Sequence, residues 1–153
     1  MSGHGSSQTG VGSSSRQPHR HRPAPPKERI LIVEDDRETR EVIELALQGA
    51  GYVVTACIDA IAAQLEIERA LPDAFVVDHN LPGATGMSFC RWLHDNPVTA
   101  DLPAIMYTAS GDADTAAEAR RAGCADFLVK PVSTHELVSR LGAAIARYRV
   151  KST

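Results

Sequence analysis

A short apolar run that ends in a carboxylate constrains the fold of this chain more than any other feature. Residues 74–77 are Ala-Phe-Val-Val, Asp78 follows them directly, and the turn-forming sequence Leu81-Pro82-Gly83 comes next. Four apolar residues bounded by turn-forming residues indicate a strand buried on both faces, which is typical of a parallel sheet. Open α/β sheets build their sites at the carboxyl ends of such strands. We therefore expect Asp78 to lie at a functional site.

Four more apolar runs alternate with amphipathic segments along the chain. The runs cover residues 30–33, 52–56, 103–108 and 126–129. Helices are predicted over residues 37–49, 87–94 and 112–122, and a last one runs from a capping box at Ser133 and Glu136 to Tyr148. A further helix, between the second and third strands, is expected to bury an apolar face formed by Ile58, Ile61, Ala62 and Leu65. This strict alternation predicts an α/β fold: a doubly wound parallel sheet of five strands with five helices on its two faces.

Charge and composition divide the chain into unequal parts. Residues 1–27 are mainly Gly, Ser, His, Pro and Arg and contain no acid, whereas the remainder carries 12 basic and 19 acidic residues. The first part cannot bury enough apolar surface to offset its ordering entropy. We expect a disordered basic tail over residues 1–27, one folded domain over residues 28–149 and a C-terminal tail over residues 150–153. The acidic domain argues against direct binding of nucleic acid.

The cellular location is predicted from the features that the sequence lacks. No apolar run approaches the roughly 20 residues of a membrane span, and the N-terminus has no apolar signal segment. Cys57, Cys90 and Cys124 are odd in number and far apart, so we expect reduced thiols rather than a disulfide framework or a zinc site. These features predict a cytoplasmic protein without a membrane partner.

Reactive side chains follow four of the five predicted strands. Glu34 and Asp35 come after the first strand, Asp78 after the third, Thr108 after the fourth and Lys130 after the fifth. In a sheet of order 2-1-3-4-5 the first and third strands are neighbours, so the three carboxylates would face one another. Clustered carboxylates repel unless a cation neutralises them, and Mg²⁺ suits such oxygen ligands.

The remaining two side chains are suited to binding an anion. Lys130 would supply a positive charge and Thr108 a hydrogen bond, and a carboxylate can itself act as the nucleophile of phosphoryl transfer. The spacing alone leaves three classes of protein open: a phosphoacceptor that is the substrate of a kinase, a phosphatase, and a simple Mg²⁺-binding protein.

Four segments together resemble the receiver domain of two-component response regulators. They are ILIVEDD at residues 30–36, VDHNLPGATG at residues 77–86, IMYTA at residues 105–109 and GCADFLVKP at residues 123–131. The resemblance covers about residues 28–149 and is closest to stand-alone receivers of the chemotaxis-regulator type. It implies the flavodoxin-like form of the doubly wound fold.

The resemblance also implies a role for each residue of the predicted site. Asp78 would accept a phosphoryl group from a sensor histidine kinase or a phosphotransfer protein. Mg²⁺ would be held by the side chains of Glu34, Asp35 and Asp78 and by the backbone carbonyl of Asn80. Lys130 and Thr108 would contact the phosphoryl oxygens. Thr108 and Phe127 would move together as the switch, and the Lys130–Pro131 bond is often cis in the family.

The function implied is that of a single-domain response regulator of a phosphorelay. Such a protein is a phosphoacceptor, not an enzyme on another substrate, and it acts by binding a protein output partner that the sequence does not identify. Homodimerisation through the last two helices and the fifth strand is common in relatives and stays open here. His79 and Asn80 depart from the commonest pattern, in which two apolar residues follow the acceptor. Asn80 and Ser110 are expected to influence the lifetime of the phosphate. For His79, stacking, titration and no role at all stay open.

Three alternatives remain beside this interpretation. A phosphatase of the haloacid dehalogenase type requires an acid two residues after the nucleophile, where this chain has Asn80. A pseudo-receiver would have lost the acceptor chemistry, yet all five reactive side chains are present. The third alternative is a receiver that forms part of a longer protein, such as a hybrid kinase.

Overall fold

Five parallel strands form one sheet in the order β2-β1-β3-β4-β5, which confirms the predicted topology. The computed structural model describes residues 27–152. The strands are β1 (Arg29–Val33), β2 (Val53–Cys57), β3 (Ala74–Asp78), β4 (Ala104–Thr108) and β5 (Asp126–Val129). The helices between and after them are α1 (Arg37–Gly49), α2 (Ala60–Arg69), α3 (Gly86–Asp95), α4 (Ala113–Arg121) and α5 (Thr134–Ser152).

The two faces of the sheet bury two separate apolar cores. Helices α1 and α5 cover one face, where Ile43, Leu47, Leu137 and Leu141 pack against side chains of the strands. Helices α2, α3 and α4 cover the other, which contains Phe75, Met87, Phe89 and Leu93. Because alternate residues of the three central strands enter opposite cores, β1, β3 and β4 each contain a continuous buried apolar run, as the sequence predicts.

Strand register brings the predicted site residues to one edge of the sheet. Val33 of β1 pairs with Val77 of β3, so the next residues, Glu34 and Asp78, lie side by side. On the other side of β3, Asp78 pairs with Tyr107, the residue before Thr108. Strand β5 then places Val129 beside Thr108, and Lys130 follows it.

The predicted buried face of the second helix is wrong for its three large side chains, whereas the fourth member, Ala62, is half-buried and packs against the core. Ile58, Ile61 and Leu65 are exposed, whereas Ala60, Ala63 and Ile67 face the sheet. The side chain of Asp59 accepts a hydrogen bond from the backbone N–H of Ala62 and fixes where the helix begins. The segment carries apolar side chains on more than one face, so periodicity alone does not decide which face is buried. In the structure the small alanine side chains lie against β1 and β2, and the larger side chains point outward.

The ends of the chain differ from expectation in one respect. Helix α5 continues to Ser152, beyond the end at Tyr148 that the sequence predicts. The Lys151 ammonium lies 4.9 Å from the centre of the Tyr148 ring, a contact that a helix allows at this spacing. Apart from Lys27, the predicted disordered tail lies outside the described residues.

Two further observations concern the cysteines and the helices. Cys57, Cys90 and Cys124 are free thiols, the first two of them buried. Within residues 27–152, none of the helices is both long enough and apolar enough to span a membrane.

Candidate functional site

Three carboxylates meet at the carboxyl ends of β1 and β3. Glu34, Asp35 and Asp78 each place an oxygen within 4.8 Å of the others. Glu34 and Asp78 are buried, with 1% and 3% of their surface exposed, whereas Asp35 is exposed. Several hard oxygen donors at a partly open edge form the donor set that Mg²⁺ prefers, so these residues fit the predicted metal. The structure thus brings together all three side chains expected to bind it.

Glu34 is held by hydrogen bonds to both of its carboxylate oxygens. The Tyr107 hydroxyl donates to Oε1, and the backbone N–H of Asp36 donates to Oε2 at 2.9 Å. Burial, with a smaller contribution from the charge of Asp78, raises the pKa of Glu34 to about 7, while the two hydrogen bonds oppose the rise. A cation in the cluster would favour the ionised form of this carboxyl.

Tyr107 is a functional residue that the sequence pattern did not reveal. Its side chain is fully buried on β4, and burial together with the hydrogen bond to Glu34 raises the pKa of its phenol above the ordinary value. An apolar run of β4 gives no sign that one of its side chains reaches a carboxylate. The Lys130 Nζ lies 5.4 Å from the centre of the same ring.

Lys130 and a backbone amide converge on the Asp78 carboxylate. Lys130 Nζ lies 2.9 Å from Asp78 Oδ1, and the backbone N–H of Asn80 donates to the same oxygen at 3.1 Å. The Lys130–Pro131 peptide bond is cis, in agreement with the pattern implied by the resemblance. The Asn80 side chain is exposed, and its backbone lies in the turn directly after β3. The lysine predicted to face the carboxylates therefore contacts one of them.

The Thr108 hydroxyl is buried at the end of β4 and has two polar neighbours. Its Oγ1 accepts a hydrogen bond from the backbone N–H of Ser110 at 3.2 Å and lies 3.0 Å from Nδ1 of His79. The backbone N–H of Lys130 donates to the Thr108 carbonyl at 2.7 Å, which joins the fourth and fifth strands at this edge. Phe127 is half-buried and packs against the core beneath α2, α3 and α4.

A cavity of about 450 Å³ lies between α1 and the segment after β5. Its lining includes Tyr107, Lys130, Glu38, Val42 and Pro131, but none of the three carboxylates. Lys130 therefore borders this cavity as well as contacting Asp78.

The close approach of α3 to β3 depends on a glycine. A Cβ atom at Gly86 would lie 2.3 Å from the Asp78 carbonyl oxygen and 2.7 Å from the His79 Cα. The Gly86 N–H donates to the His79 carbonyl at 2.8 Å. Gly86 thus lets the helix begin directly against the strand end that carries Asp78.

Comparison with known proteins places this geometry in a family. The model of the response regulator receiver domain matches residues 30–142. The phosphate regulon transcriptional regulatory protein PhoB of Pseudomonas aeruginosa is 38% identical over 118 residues, which are 77% of this chain and 52% of PhoB. PhoB of Escherichia coli is 33% identical over 119 residues, 78% of this chain and 52% of that protein. The chain thus spans about half the length of the curated relatives it matches.

Solved structures of similar proteins agree with the fold. A response regulator from Chloroflexus aurantiacus is 38% identical, with a TM-score of 0.76 over 79% of this chain and 99% of its own. The chemotaxis response regulator CheY4 of Vibrio cholerae is 26% identical, with a TM-score of 0.74 over 78% of this chain and 99% of its own. The predicted flavodoxin-like fold is confirmed.

Proposed function

The chain belongs to the response regulator receiver domain family of two-component systems, and on that premise we propose that Asp78 is its phosphoacceptor. The observation that carries the proposal is the contact of 2.9 Å between Lys130 Nζ and the buried Asp78 carboxylate, inside a cluster of three carboxylates. A cation beside a nucleophilic carboxylate is the arrangement that phosphoryl transfer requires.

The proposed reaction moves a phosphoryl group from a histidine to Asp78. An oxygen of the Asp78 carboxylate attacks phosphorus, the phosphorus–nitrogen bond to the donor imidazole breaks, and its electron pair returns to the nitrogen. Lys130 would hold the phosphoryl oxygens by charge and Thr108 by a hydrogen bond. The donor would be a sensor histidine kinase or a phosphotransfer protein.

The acidic cluster would bind Mg²⁺ during this reaction. Glu34, Asp35 and Asp78, with the backbone carbonyl of Asn80, are the proposed ligands. Bound Mg²⁺ supplies positive charge that offsets the repulsion between the carboxylates and the incoming phosphoryl oxygens. The approach of the three carboxylates within 4.8 Å supports this assignment, because clustered carboxylates are ionised more readily when a cation is present.

Thr108 and Phe127 form the proposed switch. Phosphorylation would draw the Thr108 hydroxyl toward the phosphoryl group, and the Phe127 side chain would turn inward behind it. Phe127 is half-buried, so its ring is neither locked in the core nor free in solvent. The surface that changes would bind a protein output partner.

The remaining predictions about the whole protein stay predictions. They are the tail and domain boundaries at residues 27 and 149, the single-domain state, homodimerisation and the cytoplasmic location. The absence of direct contact with nucleic acid is proposed for the receiver domain only, because the curated relatives are named as transcriptional regulators and are about twice as long as the match. Phosphoacceptor chemistry on its own Asp78, with no second substrate, is likewise a proposal.

Acetyl phosphate tests the proposed acceptor directly. The protein would be incubated with Mg²⁺ and acetyl phosphate beside Asp78→Asn and beside Asp101→Asn, a control for an exposed carboxylate at the other end of the sheet. Intact mass should rise by one phosphoryl group in the parent and the control but not in Asp78→Asn. A parent that stays unlabelled where an established receiver is labelled would favour the pseudo-receiver, and labelled Asp78→Asn would mean another acceptor.

A further inference from the structure

The residue after the proposed acceptor contacts the proposed switch. Nδ1 of His79 lies 3.0 Å from Oγ1 of Thr108, at hydrogen-bond distance. The two residues are 29 positions apart in sequence and meet because β3 and β4 are neighbours in the sheet. Thr108 is buried, so this ring is one of the few groups that its hydroxyl reaches.

The backbone holds His79 in place without help from its side chain. Its N–H donates to the Tyr107 carbonyl at 2.9 Å, and its carbonyl accepts from the Gly86 N–H at 2.8 Å. These bonds survive any substitution of the ring that leaves the backbone unchanged. The fold therefore presents whichever side chain stands at position 79 to the Thr108 hydroxyl.

The hydroxyl of Thr108 has limited hydrogen-bonding capacity. It has one proton to donate and two lone pairs, one of which already accepts the Ser110 N–H. If the imidazole carries its proton on Nε2, the Thr108 proton is donated to Nδ1, and a phosphoryl oxygen must compete for that same proton. If Nδ1 carries the proton, it donates to Oγ1 instead. In the first tautomer the hydrogen bond has to break before the Thr108 hydroxyl donates to a phosphoryl oxygen. In the second tautomer the hydroxyl proton stays free, and the bond opposes only the movement of Thr108 away from His79.

We propose that His79 is a positioning residue that retains Thr108 in its resting arrangement and thereby limits how readily the switch responds to phosphorylation. The inference rests on the proposed function, since it assumes that Thr108 leaves this position to reach a phosphoryl group on Asp78. His79 would thus change the switch equilibrium without contacting the reacting atoms.

Affinity for beryllofluoride, a mimic of the phosphoryl group, measures that equilibrium. Loss of one hydrogen bond from the resting state should tighten binding in the presence of Mg²⁺ by about 2- to 10-fold in His79→Ala. His79→Asn should stay near the parent affinity, because its amide atoms occupy the place of Nδ1. His79→Gln, whose amide atoms lie farther along the side chain, should behave like His79→Ala. His135→Ala, an exposed histidine on α5, is the control and should not change the affinity.

A double substitution identifies the route of the effect. Thr108→Val removes the hydroxyl and nearly keeps the shape of the side chain. If His79 acts through that hydroxyl, adding His79→Ala to Thr108→Val should leave the beryllofluoride affinity of Thr108→Val unchanged. A 2- to 10-fold effect that persists without the hydroxyl would overturn the proposal, because His79 would then act on access to the site.

The resting contact has a readout that does not depend on phosphoryl chemistry. In the protein without Mg²⁺, Thr108→Val should shift the imidazole ¹⁵N resonance of His79 Nδ1, and saturating Mg²⁺ with beryllofluoride should shift it in the parent. An Nδ1 resonance that shifts in neither experiment would overturn the inference.

The beryllofluoride affinities separate failure of this inference from failure of the proposed function. A parent that binds beryllofluoride with the same affinity as His79→Ala would overturn the inference and leave the proposed function intact. A parent that binds no beryllofluoride would overturn the proposed function and this inference with it.

Discussion

Tyr107 donates a hydrogen bond to Glu34 across β3, the strand that carries Asp78. The two residues lie on β4 and β1, which flank β3 and do not pair with each other. The Tyr107 ring also lies beneath the Lys130 ammonium. One buried side chain therefore contacts both the Glu34 carboxylate and the Lys130 ammonium, and its hydrogen bond orients Glu34.

Replacement of Tyr107 by Phe should weaken Mg²⁺ binding. The hydroxyl stabilises the ionised form of Glu34, so its removal raises the pKa of a carboxyl that already titrates near neutrality. A hydrogen bond to a charged group contributes about 1.5–3 kcal/mol, which predicts a loss of affinity of about tenfold or more at pH 7 and a smaller loss at pH 9. Calorimetric titration with Mg²⁺ at both pH values measures this. Tyr52→Phe, at the opposite end of the sheet, should bind like the parent; equal weakening in both variants would remove the role assigned to Tyr107.

Glu34→Gln should change the pH dependence of stability when Mg²⁺ is removed by a chelator. The pKa of Glu34 rises from 4.5 to about 7 on folding, so the folded state holds a proton that the unfolded state has lost. The stability from this group is present below pH 4.5 and is lost as the pH rises through about 7. Relative to Glu34→Gln, the parent should lose up to about 3 kcal/mol of unfolding free energy between pH 4.5 and pH 8. Urea unfolding at a series of pH values tests this, and parallel curves for the two proteins would contradict the raised pKa.

Gly86→Ala should disrupt the junction between β3 and α3. The new Cβ would overlap the Asp78 carbonyl oxygen and the His79 Cα, which are backbone atoms that cannot turn aside. We expect a loss of about 3 kcal/mol in the free energy of unfolding. Gly49→Ala is the matched control, since a Cβ there meets nothing within 4 Å and Ala favours a helix by up to about 1 kcal/mol. A Gly86→Ala protein as stable as the parent in urea would contradict this prediction, because it would show that the backbone of the junction moves at little cost in free energy.

Ile61→Gln and Ile67→Gln should differ in stability although both lie in α2. Ile61 is 70% exposed and Ile67 is 8% exposed. A polar side chain at position 61 should change the unfolding free energy by less than about 0.5 kcal/mol. At position 67 it should cost more than about 2 kcal/mol, because a buried methyl-rich side chain is lost and an amide is buried. If Ile61→Gln were instead the less stable variant in urea unfolding, the helix face predicted from periodicity would be the buried one.

Much of the candidate site is predictable from the sequence because strand ends are local features. An apolar run followed by Glu34 and Asp35, another followed by Asp78, and later runs followed by Thr108 and Lys130 each mark the end of a strand. Parallel strands end at the same edge of a sheet, so the five side chains must converge once the alternation of strands and helices is recognised. No long-range information is needed for this step.

The rotation of α2 illustrates what the local pattern left open. Ile58, Ile61 and Leu65 have helical spacing, but so have Ala60, Ala63 and Ile67, and hydrophobicity favours the first set. In the folded protein the second set is buried. The capped start at Asp59 fixes the rotation of the helix, and the space above β1 and β2 admits small side chains.

The sequence by itself determined the alternation of strands and helices and the group of side chains at the carboxyl edge of the sheet. Only the tertiary structure decided that Tyr107 reaches Glu34, 73 positions away, and that His79 meets Thr108, 29 positions away. Such contacts depend on which strands are neighbours, on their register and on side-chain rotamers. Those are properties of the packed sheet, and no short segment of the chain encodes them.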